Sequence, residues 1–192
     1  LLPQAPADGL LVISVRTEGG TQRERARVQV RDAVVEVLAA VLGVPAADIS
    51  VQARPGQAPS VALAGRDERD GSIGCSFSHE DGLSLAAINL HGDVGVDIMR
   101  VAGIPDWLAV ARDYLGPGVT ADLLALPAED LPRAFAQAWA ANEARLKCEG
   151  RQLSEWLPAG SRIAAPDQPQ VHACSLALPD GFAGEIVWTT SA

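Results

Sequence analysis

Between Ile73 and Val101 three strand-length apolar runs follow one another with no helix-length segment between them: Ile73–Phe77, Leu83–Leu90 and Val94–Val101. The last pair is joined by the tight turn His91-Gly92-Asp93. Neighbouring strands on so short a tether form an antiparallel meander, because a parallel crossover needs a dozen or more residues. That excludes the run of βα units from which a Rossmann or barrel fold is built, and it points to an α+β fold.

The remaining segments extend the pattern. Leu10–Val15 reads as a buried strand, and Ile49–Val51, Val61–Leu63, Val171–Leu178 and Phe182–Thr190 as further strands. Helical spacing of Val30, Val34, Val37, Leu38, Val41 and Leu42 predicts a helix over 21–42, opened by a Thr21/Glu24 capping box and stopped by Gly43 and Pro45. After Pro105, helices are predicted over 106–115, 120–126 and 130–149. The last has Asp130 as N-cap, Pro132 in its first turn and Gly150 just beyond its end. Each half thus reads as a long helix with a small antiparallel sheet: an N-terminal lobe over 10–103 and a C-terminal lobe over 104–192, with 1–9 as a mobile arm. The stretch 65–71 reads as a charged turn, and 158–169 as a proline-bearing linker.

Composition narrows the function. Net charge is −9, whereas a protein that grips nucleic acid by neutralising phosphates is normally basic, so no nucleic-acid partner is expected. No stretch reaches the roughly 18 apolar residues of a membrane span. With no secretory leader and three cysteines in no short pair, a reducing cytoplasm is expected. Cys75, Cys148, Cys174 and His172 lack the ligand spacing of a structural zinc module. Of the 15 cationic side chains only Lys147 is a lysine. Arg16, Arg23, Arg25, Arg27 and Arg31 cluster, as a solvated ion-paired helix face or as a seat for a small anion.

Three places could carry chemistry. Ser78-His79 ends a strand. In Gly95-Val96-Asp97-Ile98-Met99, alternation sets Val94, Val96 and Ile98 on one face and Gly95, Asp97 and Met99 on the other. A carboxylate in so apolar a strand requires a cation, a metal or several donors. On the long helix, Trp139, Asn142, Glu143, Leu146 and Lys147 share one face, which joins a core anchor to a carboxylate and the single lysine. An ordinary i,i+4 ion pair there would contribute only about 0.2–0.5 kcal/mol.

In order and spacing, Ser78-His79, Gly95-Val96-Asp97-Ile98 and Trp139-x-x-x-Glu143-Ala144-x-x-Lys147 with Gly150 resemble the motifs of the 4'-phosphopantetheinyl transferases. The likeness is to the surfactin-type branch, whose single chain folds as two similar lobes with the active site between them. The resemblance implies transfer of the phosphopantetheine arm of coenzyme A to a serine of an acyl or peptidyl carrier protein, with Mg²⁺, by a monomer. It implies that Asp97 and Glu143 hold the metal, that Glu143 is also the base, and that Lys147 stabilises charge on the phosphate and the 3',5'-ADP leaving group. Ser78 and His79 would meet the nucleotide end of CoA. Arg25 and Arg31, with the Pro55–Pro59 loop, would meet its phosphates. Met99 stands where the family usually has a second strand carboxylate, and Asn142 where it usually has lysine. A relative that binds CoA or a carrier without transferring is the alternative.

Overall fold

The computed structural model describes residues 4–17, 23–53, 57–65, 73–157 and 169–190. In chain order the elements are β1 (Gln4–Ala7), β2 (Leu10–Arg16), α1 (Arg23–Leu42), β3 (Ile49–Gln52), β4 (Ser60–Leu63), β5 (Gly74–Glu80), β6 (Leu83–Asn89) and β7 (Val94–Arg100). Then come α2 (Trp107–Val110), a π-helical turn over Ala111–Leu115, α3 (Gly116–Leu124), α4 (Leu131–Cys148), β8 (Gln170–Ser175) and β9 (Phe182–Thr190). The α+β expectation holds. The sheets are small and antiparallel, ordered β1-β2-β6-β5, β3-β4 and β7-β9-β8.

Strand alternation sorts the core into two layers. On one face of the first sheet, Leu10, Val12, Leu83, Leu85 and Ala87 meet Val94, Val96, Ile98 and Ile186 of the third. The opposite face carries Ile13, Cys75, Ala86 and Ile88, and α1 covers it with Val30, Val34 and Leu38. Those three helix residues are 0% exposed and recur every four positions. Burial of each contributes roughly 1.5–3 kcal/mol, enough to decide which face of α1 turns inward.

The chain path differs from the sequence reading at three points. Residues 4–7 of the expected mobile arm form β1, paired antiparallel with β2. The helix expected from 120 begins at Gly116, because Pro117 at its start needs no N–H partner. Strand β7, reached from β6 by a tight turn, leaves the first sheet and pairs with β9, so the third sheet draws on both sides of the 103/104 division. The expected N-cap Thr21, the charged turn over 66–71 and the linker over 158–168 lie outside the described residues.

α4 crosses the third sheet on the face of Gly95, Asp97 and Met99. Gly95 has ordinary backbone angles; glycine is required because a Cβ would strike Ala144 O and come within 2.5 Å of Cys148 N. That close approach lowers Glu143 and Lys147 onto Asp97. At the other end of α4, Asp130 occupies the N-cap position without a side-chain capping bond.

Candidate active site

Strands β5 and β7 are edge strands of different sheets, and they lie side by side with side chains in place of a backbone ladder. The Val96 N–H donates to Ser76 Oγ at 3.0 Å, and the Ile98 N–H donates to Ser78 Oγ at 3.1 Å. Ser78 Oγ in turn donates to Asp97 Oδ1 at 2.7 Å. Lys147 reaches down from α4 to the same oxygen at 2.7 Å, and to the carbonyls of Phe77 (3.2 Å) and Val96 (3.1 Å). Asp97, only 7% exposed, therefore has the cation and the donor that its burial demands.

This seam floors a cleft of about 1010 Å³. Ser78 and His79 of β5, Asp97 of β7, and Trp139, Glu143 and Lys147 of α4 all line it. His79 Nδ1 lies 2.9 Å from Ser84 Oγ. One wall is α1, with Glu24, Arg27 and Arg31, together with Gln57–Pro59; Pro55 and Gly56 lie outside the described residues. The opposite wall is Gly150–Leu153.

Gly150 explains how the chain reaches that wall. Its φ of +64° is the left-handed conformation that ends a helix. The Gly150 N–H donates to Lys147 O at 3.2 Å and the Arg151 N–H to Leu146 O at 2.8 Å, which closes the end of α4 in a Schellman turn. Beyond it, the Trp156 N–H donates to Asp113 O at 2.6 Å, and the Trp156 ring covers Gly116.

The sequence-predicted residues Ser78, His79, Asp97, Glu143, Lys147 and Arg31 come together in this cleft; Arg25 and Asn142 are not among its lining residues. Arg27 stands where Arg25 was expected. Glu24, Arg27 and Arg31 form one helical stripe, with Glu24 3.5 Å from Arg27 and 3.8 Å from Arg31, and that i, i+3, i+7 spacing was the signal available in the sequence. Arg151, Gln152 and Leu153 were not expected in the wall, and the Gly150 stop was the sign that the chain reverses there.

Met99 shares the face of Asp97, as alternation requires, but packs with Trp139 and Ile104 against the cluster of Ala111, Leu115, Leu123 and Phe135. The position next to the carboxylate is part of the apolar core. Glu185 pairs with Asp97 across β7 and β9. On that same face it points toward β8 and the first half of α4, accepting from Gln137 Nε2 at 2.6 Å and Ser175 Oγ at 2.8 Å.

Glu143 is a carboxylate of the cleft whose proton affinity is perturbed. Burial raises its pKa above the ordinary 4.5, the Asp97 carboxylate raises it further, and the Lys147 ammonium partly offsets both. Two carboxylates that repel one another in a half-buried cleft are a hard-oxygen donor pair suited to a cation such as Mg²⁺, which binds through one or two carboxylates plus phosphate oxygens and water. Among the described residues no cluster of three or more His, Cys, Asp or Glu could hold a metal by itself. The residues present therefore fit a cation whose remaining coordination is completed by water or by a bound phosphate. Cys75 lies in the core under α1, Cys148 is buried on α4, and Cys174 is exposed on β8.

Comparison with known proteins finds a likeness to one family over part of this geometry. Residues 93–183 match the 4'-phosphopantetheinyl transferase superfamily. A Synechocystis sp. protein provisionally named a 4'-phosphopantetheinyl transferase is 28% identical over 93 residues, 48% of this chain and 36% of that protein. The chain thus matches little more than a third of the relative's length. The family match contains Asp97, Glu143 and Lys147, whereas Ser78, His79 and the arginines of α1 precede it.

Proposed function

We propose that this chain transfers the 4'-phosphopantetheine group of coenzyme A to a serine of an apo acyl or peptidyl carrier protein, releasing 3',5'-ADP. The observation that carries the reading is the convergence of Asp97, Glu143 and Lys147 on one seam inside the segment matched to the superfamily. The serine Oγ attacks the phosphorus that bears pantetheine. A new P–O bond forms, the P–O bond to 3',5'-ADP breaks, and the serine proton passes to Glu143. A carboxylate positioned in the cleft is a suitable general base for that proton.

Asp97 and Glu143 would hold Mg²⁺. When bound, such a cation neutralises phosphoryl oxygens and orients the pyrophosphate. Lys147 supplies donors to the transferring phosphate and the departing nucleotide. Ser78 and His79 face the nucleotide, and Arg27 and Arg31 offer charge to its phosphates from α1. We further propose a surfactin-type enzyme of two lobes, 10–103 and 104–192, acting as a cytoplasmic monomer. Arg133, Arg145 and Arg151, with half-exposed Leu153 and Trp156, offer a basic and apolar surface to an acidic carrier. Among the described residues no helix is long and apolar enough to cross a membrane.

Incubation with CoA, Mg²⁺ and a panel of apo carrier proteins, read by intact mass, tests the reading. Mass gain of one phosphopantetheine on a carrier is expected. CoA binding with no gain on any carrier would instead assign a binding protein.

A further inference from the structure

Lys147 has three ammonium hydrogens and three acceptors within 3.2 Å: Phe77 O on β5, and Val96 O and Asp97 Oδ1 on β7. An ammonium so engaged has no hydrogen left for a phosphate oxygen. Asp97 Oδ1, for its part, already accepts from Ser78 and Lys147, each at 2.7 Å. The carboxylate read above as a cation ligand is therefore neutralised by a cation belonging to the chain itself. Its strand neighbour on that face, Met99, is apolar and packed away, which leaves Glu143 as the second carboxylate lining the cleft on that side.

We propose that Lys147 is a built-in competitor for the cation site: a divalent cation that binds Asp97 displaces the ammonium, and the displaced Lys147 becomes the phosphate donor of the cleft. Repulsion between a dication and an ammonium on the same carboxylate drives the exchange. Glu143 lies one helical turn before Lys147 on the same face of α4, so the released ammonium stays beside the reacting groups. Cation binding and readiness for phosphate are then one event. This inference rests on the reading of Asp97 and Glu143 as cation ligands.

The chain's single lysine makes the displacement visible. Lysine labelled with ¹⁵Nζ and ¹³Cε gives one side-chain signal in the full chain without CoA. Added MgCl₂ is expected to move that signal saturably, while NaCl of equal ionic strength does not. Lys147→Met is expected to bind Mn²⁺ at least about fivefold more tightly than the wild type, measured by the spin resonance of free Mn²⁺. Equal or weaker Mn²⁺ affinity in the folded variant overturns the proposal, as does a Lys147 signal that Mg²⁺ leaves unmoved. Should Lys147→Met fail to fold, the wild-type signal alone decides. The carrier assay separates the two readings: a moving signal with no carrier gaining mass removes the transferase and keeps the displacement. Mass gain with an unmoved signal does the reverse.

Discussion

Gly95 lies so close under α4 that a side-chain carbon there would come within 2.5 Å of the Cys148 backbone nitrogen. Gly95→Ala forces the helix off β7, an overpacking cost of about 1–3 kcal/mol. Because Glu143 and Lys147 both ride on α4, the variant is expected to lose Tm and carrier-modification rate together. Unchanged Tm, followed by circular dichroism, would show that the helix yields without strain.

Glu143→Gln keeps the side chain's shape but removes the proton acceptor. Transfer is expected to fall by at least roughly 100-fold, the lower end of general-base contributions. Stability should not drop, because burial no longer opposes a charge at that position. The rate of carrier mass gain and a melting curve give the two readouts. Near-normal turnover would return Glu143 to an ordinary surface role.

Met99→Glu is expected to destabilise the chain without strengthening cation binding. The new carboxylate would enter the apolar cluster of Phe135, Trp139 and Ile104, at a cost of about 2 kcal/mol or more. Met99→Leu, close in volume, should cost less than about 1.5 kcal/mol. Calorimetric Mg²⁺ titration of a folded Met99→Glu protein that showed tighter binding would place position 99 in the cleft after all.

Glu185 links stability to pH. Burial raises its pKa above 4.5, against the lowering hydrogen bonds from Ser175 and Gln137 and the charge of Arg145. A folded-state pKa above the unfolded one gives stability that is complete below the unfolded value and is lost as pH rises through the folded value. Glu185→Gln removes this dependence. The Tm of the variant relative to the wild type is therefore expected to rise from about pH 4 toward neutrality. A pH-independent difference would show that the hydrogen bonds, not burial, set the proton affinity of Glu185.

The three thiols should react unequally. Burial pushes Cys75 up to about 12 and Cys148 up to about 11, whereas Cys174 is exposed on β8. At pH 8 a thiol reagent is expected to add one label per folded chain, on Cys174, and three in denaturant. Rapid labelling of Cys148 would mean that the end of α4 opens readily.

Sequence pattern placed Asp97, Glu143 and Lys147 on the faces of their elements that line the cleft. Strand alternation set Asp97 opposite Val96 and Ile98, and helical spacing set Glu143 and Lys147 on one face, because both periods are fixed by backbone geometry. What those elements pack against depends on tertiary contact, and periodicity is silent on it. Met99 could be given a face but not its apolar neighbours. β1 was missed because Gln4-Ala5-Pro6-Ala7 has no strand-forming side chains; pairing with β2 holds it. Of Arg25 and Arg31, which the family resemblance implied, only Arg31 lines the cleft; Arg27, in helical phase with Glu24 and Arg31, lines it as well.

The absence of a backbone ladder between β5 and β7 makes the floor of the cleft a joint rather than a plate. Each sheet keeps every rung of its own ladder without the other, and along this line the two are tied by hydroxyl and ammonium bonds. A continuous sheet would fix the strands at one spacing, whereas a joint of short side chains leaves each ladder independent of the other.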